Sequence, residues 1–256
     1  MSDLGLALRQ LRFENKAFWR NPAAAFFTFL FPLMFLVIFN LAFGGDEADV
    51  AGGTTNVSTA FIIPGIIGFS VISACYTNIA MSLAIARDEG ILKRVRGTPL
   101  PRWAYMLGRI LQAVVVALIL VVIVVGAGVL FYAVRAPIAI LPAFVVTLVV
   151  GAATFCSLGL AITCAIPNAD AAPAIVNFSI LPLLFISDVF LNLEDSWVVT
   201  LSNIFPVRHF VEALQVSFSP FTTGTGFRWA DLGIMAAWGL AGLIIALRFF
   251  SWEPRR

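Results

Sequence analysis

Six long stretches without a charged residue divide this chain of 256 residues. They run from Asn21 to Gly45, Val50 to Ala86, Ile110 to Val134, Ala136 to Ala169, Ala171 to Ser187 and Leu232 to Leu247. A helix needs about 20 mostly apolar residues to cross a bilayer, so four of the stretches are long enough by themselves. The last two are shorter, but the charged residues that bound them can reach water from the ends of a helix. The pattern predicts an all-α integral membrane protein with six transmembrane helices.

The distribution of positive charge predicts the orientation of these spans. Short cytoplasmic loops of membrane proteins collect Lys and Arg. Only Arg135, Arg208 and Arg228 lie on one side of the predicted spans, and the other thirteen basic residues lie on the opposite side. This bias places both termini and the loop after span two in the cytoplasm. With 61% hydrophobic and 12% charged residues, the chain is too apolar for a soluble globular domain. The first apolar run is long enough to span, so we expect no cleaved signal peptide.

The first 22 residues have the periodicity of an amphipathic helix. One face would carry Leu4, Leu8, Leu11 and Phe18, and another would carry Arg9, Arg12, Lys16 and Arg20. Such a helix lies in the membrane plane, with its basic groups toward lipid headgroups or a cytoplasmic partner. We therefore predict an interfacial helix over residues 1–22. A simple membrane anchor is the alternative interpretation.

The cytoplasmic loop after span two has the pattern of a short capped helix. Acidic residues precede basic ones, in the order Asp88, Glu89, Lys93, Arg94 and Arg96. The dipole of a helix favours this order of charge. Gly97 would end the helix, and Thr98-Pro99-Leu100-Pro101 cannot continue it because proline lacks an N–H. A capped helix before a rigid turn favours a docking surface for a soluble partner. The alternative is a basic loop lying on anionic headgroups.

Three polar side chains inside the spans are candidates for a translocation path: Asn78 in span two, and Asn177 and Ser179 in span five. An amide in hydrocarbon needs a partner, which is usually another helix. Span five also contains Pro173 and Pro182, which make it the most easily bent span. If one helix lines a path, this span is the best candidate.

The longest external segment, residues 189–228, contains two apolar pieces that are each too short to span. In the second piece, Val207, Phe210, Val211, Leu214 and Phe218 recur at helical spacing. We predict a re-entrant hairpin of two short helices. His209, the only histidine, would lie on the polar face and is expected at the surface. The segment 44–55, which contains the acidic residues Asp46, Glu47 and Asp49, is expected to form a solvated turn. We expect no metal site in the chain.

The sequence lacks the motifs that would supply energy for transport. Neither of the two lysines, Lys16 and Lys93, follows a glycine-rich GxxxxGK[ST] loop, and neither HExxH nor GxSxG occurs. The predicted spans contain no carboxylate pair of the kind that couples ion flow to transport. An enzyme and an ion-driven carrier are therefore poorly supported. The energy would have to come from a partner that docks on the cytoplasmic loop.

The cytoplasmic loop carries the residues of a known family. They are Glu89-Gly90-Ile91-Leu92-Lys93-Arg94, then Thr98-Pro99-Leu100, then Tyr105 and Gly108. Together with the amphipathic N-terminal helix, the six spans and the external hairpin, they resemble the membrane subunits of ABC-2 type exporters. This family includes daunorubicin-resistance-type drug permeases and permeases for polysaccharides and teichoic acids. Ile91 stands where the family commonly has Thr, which is a mild departure.

The resemblance implies that residues 1–256 form a single ABC-2 type transmembrane domain in a bacterial plasma membrane. Residues 87–101 would contain a coupling helix that docks on a separate ATPase subunit. The docking residues would be Arg87, Asp88, Glu89, Gly90, Ile91, Leu92, Lys93, Arg94, Arg96, Thr98 and Pro99. ATP and Mg²⁺ would be bound by that subunit, with no cofactor in this chain and no nucleic acid as a partner. Two permeases, identical or different, would pair within the membrane lipid.

Three functions agree with these observations to different degrees. The first is export of a hydrophobic or amphipathic compound, favoured because the spans are rich in Phe and Val. The second keeps the ATP-driven machinery and exports a lipid-linked polysaccharide or teichoic acid. The third is a membrane scaffold or immunity protein without transport, which predicts no ATP-dependent flux and tolerance of changes in span five.

Overall fold

The computed structural model describes residues 3–50, 52–98, 100–187 and 197–252. The helices are α1 (Asp3–Trp19), α2 (Pro22–Phe43), α3 (Ser58–Asp88), α4 (Ile91–Arg96), α5 (Arg102–Phe131), α6 (Leu141–Ile162), α7 (Ala172–Ile186), α8 (Trp197–Ser202), α9 (Pro206–Phe218) and α10 (Trp229–Phe249). Two strands, β1 (Glu47–Val50) and β2 (Gly53–Asn56), lie between α2 and α3. This architecture agrees with the predicted helical membrane protein.

Five of these helices are long and apolar enough to cross a bilayer, namely α2, α3, α5, α6 and α10. They coincide with predicted spans one to four and six, because each contains most of one interval without charged residues. α7 fills the remaining interval, but its 15 residues extend only about 22 Å. That length is less than the ~30 Å of a bilayer's hydrocarbon core. Within the described ranges there are thus five helices of spanning length and one shorter apolar helix at the position of predicted span five.

α3 is the central helix of the molecule. In the most apolar 18-residue stretch of α3, 83% of the residues are buried, whereas the corresponding fraction in α2, at the periphery, is 17%. Helices α5, α6 and α9 pack around it. Two π-helical turns, Ser58–Ile62 and Ser73–Thr77, lie within α3, and such turns occur frequently at functional sites. At the second turn α6 comes so close that a Cβ added to Gly159 would lie 2.8 Å from the carbonyl oxygen of Tyr76.

α10 packs along α6 through two glycines. A Cβ added to Gly239 would lie 3.1 Å from the hydroxyl oxygen of Thr154, and one added to Gly242 would lie 3.1 Å from Leu158. Small residues permit such close approach of helices in a membrane. The approach allows the Thr154 hydroxyl to donate a hydrogen bond to the carbonyl of Met235, at 2.9 Å.

The strands form an antiparallel hairpin in which Glu47 pairs with Asn56 and Val50 pairs with Gly53. The expected solvated turn is therefore partly regular structure. Gly52 and Gly53 have φ values of 107° and 152°, which only glycine adopts readily. The side chain of Phe221 covers both glycines, and a Cβ added at either position would lie 2.7 Å from an atom of that side chain. The hairpin thereby docks on the segment between α9 and α10.

The predicted apolar face of α9 is confirmed. Its five members, Val207, Phe210, Val211, Leu214 and Phe218, are all 3% exposed or less. They pack against α3, α6 and α10, and the ring of Phe210 lies where a Cβ on Gly151 would clash. α8 precedes this helix, as the prediction of two short helices requires. Residues 188–196, which begin the predicted hairpin, lie outside the described ranges.

Candidate functional site

The short cytoplasmic helix predicted from the sequence exists as α4, but it begins later than predicted. Asp88 is the last residue of α3 and Glu89 follows it, so both precede α4 and do not form its first turn. Gly90 separates the two helices with φ of 70°, a left-handed conformation that L side chains disfavour. Its carbonyl accepts the first hydrogen bond of α4 from the N–H of Arg94, at 3.1 Å. Gly90 thus sets the angle between α3 and α4.

α4 is anchored by its apolar residues and presents its charges outward. Leu92 is fully buried, and Val95 packs against the same core. Six members of the predicted docking set are exposed around this helix: Asp88, Glu89, Ile91, Lys93, Arg94 and Thr98. The Thr98 hydroxyl donates to the carbonyl of Val95 at 2.7 Å and ends the helix after Arg96. Pro99 lies outside the described ranges.

Three basic side chains of α1 are exposed, Arg9, Arg12 and Lys16, and so is Arg20, which directly follows the helix. On its other face α1 packs closely against the start of α5, where a Cβ on Gly108 would lie 2.5 Å from the side chain of Gln10. Glu14 forms an ion pair with Arg109 of α5, at 3.4 Å. Between α1 and the residues that follow α4 lies an open groove of about 690 Å³, lined by Leu6, Arg9, Gln10, Arg12, Phe13, Lys16, Thr98 and Leu100. The basic face of α1 and the residues that follow α4 therefore line one groove.

Arg87 occupies a different position from the rest of the predicted docking set. Its side chain is only 1% exposed. The guanidinium donates to the carbonyl of Thr163 at 3.0 Å and to that of Ile166, two groups beyond the end of α6 where carbonyls lack helical partners. Arg87 therefore joins the end of α3 to the connection between α6 and α7, and it is not part of the exposed surface.

Asp88 adds a second link to the same connection. Its carboxylate accepts a hydrogen bond from the backbone N–H of Ala169 at 3.1 Å. Within this turn, the side chain of Asn168 accepts from the N–H of Ala171 at 2.9 Å, next to the first residue of α7. The turn that precedes α7 is thus held by the residues that directly precede α4. We call Arg87, Asp88, Thr163, Ile166 and Ala169 the Arg87 clamp.

One of the three path candidates contacts α3 directly. The Tyr76 hydroxyl lies 2.6 Å from the hydroxyl oxygen of Ser179, and this pair links the second π-helical turn of α3 to α7. Ser179 donates its own proton to the carbonyl of Val176 at 2.7 Å, so Tyr76 is the donor in the pair. Both residues line a cavity of about 510 Å³ between α6, α7 and α10. Its other walls are mostly apolar and include Phe155, Leu158 and Trp238.

The two asparagines do not join this pair. Asn78 is half-buried in α3, and Asn177 is exposed on α7 beside Phe178, which is 82% exposed. Among the described residues no hydrogen bond links either amide to Ser179. The three candidates therefore point to different surroundings: Ser179 faces the cavity, whereas Asn177 faces away from the body of this chain.

A charged cluster at the opposite end of the molecule was not predicted. His209 and Asp231 are 7% and 4% exposed, with His209 Nδ1 2.8 Å from the carboxylate. The expectation of a surface histidine is wrong, because the start of α10 covers that face of α9. Arg228 donates to Asp231 at 2.5 Å and to Glu212 at 3.3 Å, and Arg208 donates to Glu212 at 2.6 Å. The hydrogen bond to Asp231 raises the pKa of Arg228, which lies just before α10. The local signals of this cluster are the four-residue spacing of Arg208 and Glu212 and the three-residue spacing of Arg228 and Asp231.

Comparison with known protein families identifies the family of this chain. No curated protein sequence matches the chain significantly. The family model for the ABC-2 type transporter matches residues 9–219, from the basic face of α1 to the end of α9. That match includes α4, the Arg87 clamp and the Tyr76–Ser179 pair, and it covers well over half of the sequence. The chain therefore belongs to the ABC-2 type transporter family.

Proposed function

We propose that this chain is the membrane subunit of an ATP-driven exporter that moves a hydrophobic or amphipathic compound outward. A separate ATPase subunit would bind ATP and Mg²⁺ and dock on the surface formed by α4 and α1. The observation that carries the proposal is that α4 is anchored on one face and charged and exposed on the other. Leu92 fixes the helix in the core, while Glu89, Lys93 and Arg94 remain exposed for a soluble partner.

The proposed topology keeps six spans with both termini in the cytoplasm of a bacterial cell. α7 would be the fifth span. It would be short because the chain continues directly into the external segment, residues 189–228, which would form a re-entrant hairpin. The burial of α9 among α3, α6 and α10 supports this arrangement, since a free external loop would not bury Phe210 and Leu214 completely. The basic surface of α1 and α4 would face the cytoplasm.

The contacts around α4 supply a route by which movement of the ATPase would reach the spans. The clamp joins the base of α4 to the turn before α7 through Arg87 and Asp88. Farther along, the Tyr76–Ser179 hydrogen bond joins α7 to α3 again. A displacement of α4 would therefore move α3 and α7 together, and these are the two helices that carry the path candidates.

A second permease would cover the outer face of α7. Asn177 is exposed there, although it lies within an apolar helix that would be surrounded by hydrocarbon in a single chain. An amide facing lipid lacks hydrogen-bond partners, so protein or a polar path is expected opposite it. A homodimer or a heterodimer would supply this partner, with α7 from each chain near the shared path.

The cavity beside Ser179 supports an apolar cargo. The donors in its wall are already used, since Tyr76 donates to Ser179 and the Trp238 indole donates to the carbonyl of Ile204 at 2.8 Å. A glycan would find few free hydrogen-bond groups there, whereas an apolar compound requires none. Export of a lipid-linked polysaccharide or teichoic acid is thus the less favoured alternative, and a scaffold without transport would leave the cavity without a role.

The proposal is tested by charge reversal on α4. Purification of the chain from its native membrane is expected to bring a P-loop ATPase with it, and Glu89→Arg together with Arg94→Glu is expected to abolish this association. Glu47→Arg, an exposed charge reversal on β1, is the matched control and should retain the ATPase. Membrane vesicles that contain the unsubstituted chain and its ATPase should show ATP-dependent efflux of a lipophilic dye. Absence of the ATPase and of efflux in native material would support the scaffold instead.

A further inference from the structure

Both ring nitrogens of His209 face oxygen atoms. Nδ1 lies 2.8 Å from a carboxylate oxygen of Asp231, and Nε2 lies 2.8 Å from the backbone carbonyl oxygen of Asn203. A carbonyl oxygen only accepts hydrogen bonds, so Nε2 must carry a hydrogen. An ionised carboxylate also only accepts, so Nδ1 must carry a hydrogen as well. A neutral imidazole has one N–H, and this environment requires two.

We propose that the His209–Asp231 pair is a proton-binding site, and that the bound proton fastens α9 to α10. His209 belongs to α9 and Asp231 to the first turn of α10, so the shared proton joins two separate helices. Without it, one ring nitrogen would turn a lone pair toward an oxygen at hydrogen-bond distance, either Nδ1 toward the carboxylate or Nε2 toward the carbonyl of Asn203, which is repulsive. Loss of the proton would therefore loosen α9 at the end of the molecule opposite α4.

The surroundings of the pair contain a small number of charged groups. Glu212 and Arg208 of α9 and Arg228 from the preceding segment complete the cluster, and Asp49 of β1 lines the same cleft as the two arginines and Glu212. The neighbouring helical segments Ser58–Asp88 and Leu141–Ile162 contribute no charged side chain near α9, since their only charged residues, Arg87 and Asp88, lie at the other end of α3. Glu212 and Asp231 each pair with a guanidinium, and Asp231 is the charged group in direct contact with the histidine.

A metal ion is a less suitable occupant than a proton. His209, Glu212 and Asp231 could offer ligand atoms within 4.8 Å of one another. However, two ligands of a tetrahedral zinc ion are separated by about 3.3 Å, whereas Nδ1 and the Asp231 oxygen are 2.8 Å apart. Arg228 and Arg208 also occupy the carboxylates, and a divalent cation would have to displace both. The separation fits one hydrogen between the two atoms.

The protonation state can be measured directly because the chain has a single histidine. The full-length protein, labelled with ¹⁵N-histidine in lipid nanodiscs, would be examined by NMR at neutral pH. Two protonated ring nitrogens are expected. Asp231→Asn is the matched variant: its amide oxygen can accept from Arg228 while its NH₂ donates to Nδ1, so one ring nitrogen should lose its proton. An unprotonated nitrogen in the native protein would overturn the proposal, and so would a zinc-dependent change of the native spectrum.

The mechanical consequence has a separate test in the same nanodiscs. Ser217 is 3% exposed on α9, and Ser217→Cys is nearly isosteric. Thr223→Cys places a thiol on the exposed loop after α9 and serves as a reference for the effect of pH on thiol reactivity. As the pH is raised until NMR shows loss of the His209 proton, the ratio of maleimide labelling at position 217 to that at 223 should rise about tenfold. The same ratio should stay constant in the Asp231→Asn background. A constant ratio in the native background would show that the proton does not hold α9.

Discussion

Arg87 donates a hydrogen bond across the molecule to the carbonyl oxygen of Thr163, 3.0 Å away and 76 positions later in the sequence. The contact joins the last turn of α3 to the first residue beyond α6. Because a guanidinium has five donors in a rigid fork, one side chain can serve several of the carbonyls that a helix end leaves without partners. The arginine that begins the predicted docking segment is therefore structural, whereas Glu89, Lys93 and Arg94 are exposed.

Substitutions of Arg87 and Arg94 should have separate effects on the stability of the fold and on docking of the ATPase. Arg87→Ala removes charge-assisted hydrogen bonds to two buried carbonyls, and we expect it to cost about 3 kcal/mol of unfolding free energy. Arg94→Ala removes an exposed charge from α4 and should leave the unfolding temperature unchanged while weakening ATPase association. Thermal unfolding in detergent and co-purification of the ATPase measure the two effects. Equal unfolding temperatures for the two variants would show that the clamp does not stabilise the fold.

The left-handed conformation of Gly90 predicts a cost for any Cβ at that position. Gly90→Ala should destabilise the junction by about 1 kcal/mol, although no atom lies within 4 Å of the added carbon. Gly90→Asn should cost less, since asparagine tolerates this conformation better than alanine does. Gly45→Ala is the matched control, because Gly45 also has open space but no positive φ. If Gly90→Ala and Gly45→Ala unfold at the same temperature, backbone strain at the junction is absent.

Two glycines within spans should respond in opposite directions to the same change. Gly159→Ala would place a Cβ 2.8 Å from the backbone oxygen of Tyr76, so α6 must move away from α3. We expect a loss of about 1–3 kcal/mol. Gly126→Ala in α5 meets no atom within 4 Å and should be neutral or stabilising by up to about 1 kcal/mol. Unfolding curves of the two variants measure the difference, and a neutral Gly159→Ala would contradict the close packing.

The Tyr76–Ser179 hydrogen bond should appear as a coupling energy between α3 and α7. Tyr76→Phe and Ser179→Ala each remove one side of the bond with little change in volume. In a double-mutant cycle of unfolding free energies we expect a coupling of about 1 kcal/mol. Tyr76→Phe with Ser157→Ala is the control cycle, because Ser157 bonds within its own helix to the carbonyl of Ala153. A coupling as small as that of the control would remove this link from the proposed route of movement.

The helices were predictable from sequence where charge or periodicity directly marks them. Each helix of spanning length contains most of one charge-free interval, and the apolar residues of α9 are buried as their spacing indicates. The start of α4 was placed too early, since Asp88 and Glu89 can end one helix as well as begin the next. Only the backbone conformation of Gly90 decides between these arrangements.

The side-chain roles that were missed depend on contacts distant in sequence. In the sequence, Arg87 resembles the other basic residues of the loop. Its hydrogen bond to the end of α6 becomes apparent only from the packing of the two helices. His209 lies on the polar face of its helix, and its burial results from Asp231, 22 positions later. Helical periodicity reports which residues share a face but not what covers a polar face. Such partners become visible only when the packing of separate helices is known.

The outer face of α7 should contact another protein chain in the native membrane. A photo-crosslinking amino acid at position 177 is expected to capture a protein, because an exposed amide in hydrocarbon needs polar partners. A product of twice the mass of the chain would indicate a homodimer, and another mass would indicate a different permease. Val122 of α5, which is 71% exposed and surrounded by apolar residues, is the control position and should capture lipid. Capture of lipid alone at position 177 would contradict a protein interface on α7.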